Sequence, residues 1–179
     1  MKYVYFFILS LLLVSCGSDQ NEEVEFDKEK ALSCLTSSDY NCAIVALESV
    51  GRQNLDAKYL KLLASAYAGR SGYNTSTLFG TDIPKIGSPS VLGGFARFTT
   101  SSDMDAPDND NFDDLMEAIT ILLHAGGIPL DKDPTVARRA ALFNSKEASE
   151  INSFLMYLLM AGLGKFTYYY GNSDPVGVK

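Results

Sequence analysis

Residues 154–164 contain no charged side chain: Phe154, Leu155, Met156, Tyr157, Leu158, Leu159, Met160, Ala161, Gly162, Leu163 and Gly164 follow one another without interruption. Such a run is about half the ~20 residues that a helix needs to cross a bilayer, so protein rather than lipid has to cover it. Around it Ile151, Phe154, Leu155, Leu158, Leu159, Gly162 and Leu163 recur at helical spacing towards Phe166. Asn144 or Ser145 stands where an N-cap belongs, with Glu147 placed as a capping-box partner. This pattern predicts a last helix buried at the centre of a single domain.

The same spacing recurs elsewhere, which predicts an all-α fold. Ala31, Leu32 and Leu35 mark a helix capped by Asp27; Ala43, Ile44, Leu47 and Val50 mark a second, after a Ser37-Ser38-Asp39 turn. Tyr59, Leu60, Leu63, Ala64, Ala66 and Tyr67 form a broad stripe on a third helix, from about 55 to 68, which Arg70-Ser71-Gly72 stops. Phe112, Leu115, Met116, Ile119, Leu122 and Leu123 predict a fourth, capped by Asp110 or Asn111 and ended by Gly126-Gly127. Asp133-Pro134 reads as an N-cap followed by Pro at the first helical position, opening a short helix to Phe143.

Between residues 70 and 111 the pattern changes. Pro84, Gly87, Pro89, Gly93 and Gly94 interrupt any helix, while Leu78, Phe79, Ile83, Val91, Leu92, Phe95 and Phe98 supply isolated anchors. A structureless stretch this long is unusual inside a compact domain and reads as an excursion packed between two helical halves, the best place for a binding surface. The expected organisation is a leader at 1–15, an acidic tether at 16–26, a helical domain at 27–170 and a loose tail at 171–179. Within the domain, repeat-like helices occupy 27–69, the excursion and an acidic loop 70–111, and the C-terminal helices 112–170.

The leader has Lys2 followed by an almost wholly apolar run from Tyr3 to Val14. That is the length of a cleavable export signal and not of a membrane anchor. Leu13-Val14-Ser15-Cys16 followed by Gly17 resembles the lipobox of bacterial lipoproteins. The resemblance implies that the Cys16 thiol receives a diacylglycerol, that cleavage precedes it and that the new amine is acylated; several acyl chains give stable membrane residence where one would not. With Gly17 and Ser18 at the next two positions, neither acidic, the family's sorting rule points to the outer membrane rather than the inner. An ordinary secretory signal is the alternative reading of the same residues.

Cleavage would leave 164 residues with a side-chain charge of −8, against −7 for the whole chain. An acidic chain of this kind does not suit phosphate neutralisation, and nucleic acid is not an expected partner. Cleavage would also leave two cysteines beyond the lipidated one, Cys34 and Cys42, an even number suited to one disulfide in an oxidising compartment. The intervening Thr36-Ser37-Ser38-Asp39 can reverse the chain; two buried free thiols are the alternative.

Three short helices joined by tight turns resemble tetratricopeptide hairpins over about residues 27–73. Asp39-Tyr40-Asn41-Cys42-Ala43 is similar to the stretch where that family places an aromatic followed three residues later by a close-packed Ala. Leu63-Ala64-Ser65-Ala66-Tyr67 is similar to its Leu, small residue and Tyr in the next first helix. The usual Pro after the second helix is absent, with Leu55 near that position. The resemblance implies antiparallel helical hairpins, partly tetratricopeptide-like, and a non-catalytic surface that holds another protein or peptide.

Candidate chemistry is sparse. Seven of the 22 acidic residues lie between Asp103 and Glu117, and Asp103, Asp105, Asp108 and Asp110 alternate as oxygen ligands for calcium would. The turn Gly of a calcium loop is missing, and a solvated loop whose carboxylates favour the next helix's N-terminus is the competing reading. The single histidine, His124, sits at a helix C-terminus, where it complements exposed carbonyls. Arg138-Arg139 reads as a solvated helix face. Tyr67, Phe79, Phe95 and Phe98 are candidates for a binding surface. The leading expectation is a lipid-anchored envelope protein that acts as an interaction or assembly module with no cofactor and no enzymatic activity. The alternative is a solute- or calcium-binding accessory lipoprotein of a periplasmic transport system.

Overall fold

A computed structural model describes residues 20–49, 56–73 and 110–170, with side chains described for all of these except 20, 21 and 164–170. The described residues form six helices and no strand: α1 (Gln20–Thr36), α2 (Tyr40–Glu48), α3 (Ala57–Arg70), α4 (Asp110–Leu123), α5 (Val136–Ala140) and α6 (Ser145–Tyr170). The all-α architecture is as expected, and the leader, residues 16–19, most of the excursion and the tail lie outside the described residues.

The tether is shorter than the sequence suggests, because α1 begins at Gln20 and not after Asp27. Glu22 and Glu23 occupy its first turn, where carboxylates face the positive end of the helix dipole. Glu25, one turn further on, is recruited by the buried Lys28. The polar composition of 22–26 therefore reflects a solvated helix face.

Helix α1 ends in a Schellman arrangement: Ser38 N–H donates to Leu35 O at 3.1 Å and Asp39 N–H to Cys34 O at 2.8 Å. Ser38 takes φ +59°, where glycine is ordinarily preferred. Asp39 at once caps α2, accepting the Cys42 N–H at 3.0 Å. This abrupt reversal brings the Cα atoms of Cys34 and Cys42 to 5.8 Å, with their sulfurs at disulfide distance. Asp56 caps α3 by accepting from Tyr59 N–H at 3.0 Å. Its end repeats the Schellman pattern, with Gly72 at φ +92° and Tyr73 N–H donating to Ala68 O at 2.7 Å.

The central helix is α3, which packs against α1, α2, α4 and α6. Its buried positions are Ala57, Tyr59, Leu60, Leu63, Ala64, Ala66, Ala68 and Gly69. Five are Ala or Gly, so neighbours approach the backbone from several sides. At Gly69 the approach is closest: a Cβ there would lie on the Tyr40 ring, within 2.6 Å of Cδ1. Tyr59, fully buried, donates from its hydroxyl to Leu47 O at 2.8 Å and ties α3 to the end of α2.

In the second half, Leu115, Ala118, Ile119, Ile121 and Leu122 of α4 face the core. The helix ends before Gly126 (φ +91°), packed against Leu142 and Phe143. Helix α5 starts later than expected. Thr135, extended at φ −121° and ψ 151°, is its cap and accepts the Arg138 N–H at 3.2 Å, whereas the Asp133 carbonyl accepts from the Arg138 guanidinium. It ends at Ala140, short of Phe143. The capping box of α6 is present: Glu147 N–H donates to Asn144 Oδ1 at 2.9 Å, and Asn144 N–H to Glu147 Oε2 at 3.2 Å.

The charge-free run does not form a fully buried central helix. Leu155, Tyr157, Leu158 and Ala161 are buried, but Met156, Leu159 and Leu163 are 59%, 42% and 57% exposed. The reason is geometric: among the described helices α6 packs against α3, α4 and α5, and all three meet it on the side away from Met156, Leu159 and Leu163.

Candidate functional site

Three helices each contribute a polar pair to one junction. On α3, Tyr67 and Arg70 are three residues apart and share a face. On α2, Asn41 and Glu48 are two turns apart, and on α4 Asp110 and Asp114 are one turn apart. Arg70 joins them: its Nε and Nη2 donate to Asp114 Oδ2 and Oδ1 at 2.6 and 2.5 Å, and Nη1 donates to Asn41 Oδ1 at 2.9 Å. Its guanidinium carbon lies 5.3 Å from the centroid of the Tyr67 ring, whose hydroxyl donates to Glu48 Oε1 at 3.3 Å. The hydrogen bonds to Asp114 raise the Arg70 pKa, and burial only partly opposes them.

The bidentate pair holds α4 against α3 and neutralises the buried Asp114 on both oxygens, while the bond to Asn41 ties the same guanidinium to α2. Its chemistry is that of a fastening, with the guanidinium plane, the carboxylate and the ring face committed to one another. Tyr67 and Asp110, which the sequence nominated for a binding surface and a cation site respectively, both act electrostatically on Arg70. Phe79, Phe95 and Phe98, and the ligand candidates Asp103, Asp105 and Asp108, lie outside the described residues, as does Cys16. Among the described residues no group of three or more His, Cys, Asp or Glu side chains is placed to hold a metal. No helix among them is long and apolar enough to cross a membrane.

Two further cations, Lys28 and Arg139, are buried. Lys28, 4% exposed, pairs with Asp56 and with Glu25, the latter at 2.6 Å. Burial alone would push the Lys28 ammonium down, but the hydrogen bonds to Asp56 and Glu25 outweigh it and its pKa rises. Hydrogen bonding to Lys28 lowers Glu25; burial raises Asp56, but Lys28 and the Tyr59 N–H together bring it below its ordinary value. Asp56 thus caps α3 and fastens α1 with the same carboxylate.

Arg139 corrects the expectation of a solvated arginine pair. Arg138 is exposed, while Arg139 is buried, donating from Nη1 to Leu123 O at 3.0 Å and from Nε to Asn152 Oδ1 at 2.8 Å. The α4 C-terminus offers an unpaired carbonyl and a negative dipole end, which draw a cation inward. With neutral hydrogen-bond partners, burial lowers the Arg139 pKa. His124 packs at the same end, its Nδ1 3.0 Å from Ile128 O.

Reading the sequence for function missed Lys28, Asp114 and Arg139. Each sits in register with apolar neighbours: Lys28 with Ala31 and Leu35, Asp114 with Ala118 and Ile121, Arg139 with Phe143. A charge on an apolar stripe is the signal that a partner awaits it from another element.

No protein-family model matches this chain, and no curated protein or solved structure matches it. The likeness to lipoproteins and to tetratricopeptide hairpins therefore rests on the residues quoted for it.

Proposed function

We propose that this chain is a lipid-anchored protein of the bacterial envelope, held through Cys16 and facing the periplasm or exterior, at the outer membrane in preference to the inner. Its helical domain serves as a non-catalytic interaction or assembly module. The observation that carries the interaction reading is the outward apolar face of α6, Met156, Leu159 and Leu163, on a domain whose buried charges are engaged internally. Cys34 and Cys42 at disulfide distance suit an oxidising compartment, in keeping with the lipobox-like leader. The partial tetratricopeptide character of residues 27–73 belongs to the same reading: small residues at Ala43, Ala64 and Ala66 permit close helix pairs.

Two measurements test it. The full chain expressed in a bacterium should incorporate an alkyne-tagged fatty acid and fractionate with membranes, and Cys16→Ser should lose both; equal labelling of the two would refute lipid attachment at Cys16. Crosslinking in native membranes should then recover a defined envelope protein. Recovery of none, together with a co-purifying small molecule, would overturn the interaction reading in favour of solute binding.

A further inference from the structure

We infer that Cys42 is the sulfur through which the bond between Cys34 and Cys42 is made and broken, and that its reaction partner is a dithiol–disulfide oxidoreductase. The two cysteines are not equivalent. Cys34, on the core side of α1, is 8% exposed, whereas Cys42, in the first turn of α2, is half-buried at the margin of the same core. Thiol–disulfide exchange is the attack of a thiolate on a sulfur, and its rate depends on which sulfur the reagent can reach. The helix ends add to the difference, because the reacting group is an anion. The positive end of the α2 dipole lies at Cys42 and the negative end of the α1 dipole at Cys34. The Asp39 carboxylate, which accepts the Cys42 N–H, opposes the α2 dipole there, and access is left as the deciding difference.

The turn between them lets both steps occur in the folded hairpin. Cys34 O accepts the Asp39 N–H at 2.8 Å and the Ser37 hydroxyl at 2.9 Å, while the Asp39 carboxylate fixes the Cys42 N–H, so bonds that involve no sulfur hold the backbone on both sides. The Cα atoms stand 5.8 Å apart, within the range of a bridge, and closing it needs no movement of the backbone. In the first step the Cys42 thiolate attacks one sulfur of the catalyst's disulfide; a bond forms between Cys42 Sγ and that sulfur, and the catalyst's other sulfur leaves as a thiolate. The Cys34 thiolate then attacks Cys42 Sγ, which closes the intramolecular bond and expels the first catalyst sulfur. The two cysteines are oxidised, the catalyst's disulfide is reduced to a dithiol, and the protons of the two cysteines end on the catalyst's thiols. Reduction runs the same path backwards and opens with attack on Cys42 Sγ. The choice of an oxidising catalyst rests on export to the envelope; the order of the two sulfurs does not.

Pulsed thiol exchange on the full chain tests the order. Cys34→Ser and Cys42→Ser each present one member of the pair; both are pulsed with oxidised glutathione, quenched in acid and mapped by mass spectrometry. The mixed disulfide at Cys42 in Cys34→Ser should form about tenfold or more faster than that at Cys34 in Cys42→Ser, and concentrated urea should bring the two rates together. Both variants should keep the helical circular dichroism of the parent, and the reduced parent, pulsed with N-ethylmaleimide, should give the same preference with no substitution. A dithiol oxidoreductase whose second active-site cysteine is replaced should likewise be trapped on Cys42 and not on Cys34. Equal rates in the folded chain, a faster Cys34, a difference that persists in urea, or trapping on Cys34 would overturn the inference. Glutathione on the Cys16 peptide is read separately by the same mapping and counts against lipid attachment, not against the order of Cys34 and Cys42.

Discussion

Two buried cations, one in each half of the molecule, are accommodated in opposite ways. Lys28 in the first half meets the carboxylates of Glu25 and Asp56, and its charge is reinforced. Arg139 in the second half meets a carbonyl and an amide, and burial works against its charge. The contrast extends to the surroundings. The first half is fastened at short range, by two Schellman ends, two aspartate caps and a cysteine pair; the second relies on apolar packing of α4 against α6 and leaves part of α6 in water. The exposed apolar side chains of the first half, Phe26, Leu32 and Val45, are divided between α1 and α2, whereas Met156, Leu159 and Leu163 lie along one helix.

The comparison can be strained first at α6. Leu158→Ala removes a fully buried side chain and should lower stability by about 2–5 kcal/mol in urea unfolding, whereas Leu159→Ala, one residue away and 42% exposed, should lower it by far less. Equal effects would show that α6 has no outer face. In the first half, Cys34→Ser with Cys42→Ser should cost about 2–3 kcal/mol, the loop-closure contribution of a cross-link between residues eight apart. No change would mean that the hairpin stands on its caps alone.

Gly69→Ala should destabilise by about 1–3 kcal/mol, because the new methyl lands on the Tyr40 ring. In a Tyr40→Ala background the same substitution should instead stabilise by about 1 kcal/mol, since alanine is the better helix former. That reversal of sign, read by thermal melts, isolates the packing contact.

Acid should weaken the ion-paired fastenings. Glu25, Asp56 and Glu150 have pKa values lowered, Glu150 mainly by hydrogen bonding to Lys61. Depressed carboxylate values contribute stability that is fully present above their unfolded values, about 4, and is lost as pH falls through the lower folded ones. Lys28 has its value raised, so its contribution holds below about 10.4 and fades as pH rises beyond. A stability profile flat from about pH 5 to 9 and falling on both sides is expected, and Lys28→Met should blunt the acid limb. The smallest change is a gain: Ser38→Gly relieves a left-handed φ of +59° and should stabilise by about 0.5–1 kcal/mol in chemical unfolding.

Much of the helical pattern was legible because its signals are local. Asp39, Gly72 and the Asn144–Glu147 pair act within four or five residues along the chain, and the apolar periodicity of α3 and α4 needs no knowledge of a partner. Of the candidate site, the sequence pointed to Tyr67 and Asp110 separately but not to Arg70, which lies between them electrostatically, nor to Asp114, whose partner is 44 residues away.

The amino-acid sequence by itself therefore determined that this chain is helical, where most helices turn, and which two cysteines a hairpin could bring together. Only the tertiary structure decided that α1 starts at Gln20, that Gly69 seats Tyr40, that Arg139 is inside while Arg138 is outside, and that Met156, Leu159 and Leu163 of α6 are exposed while Leu158 beside them is buried. These outcomes depend on which groups meet across long loops. A cap is decided by neighbours in the chain, whereas burial is decided by the elements that fold against a face and by those that do not.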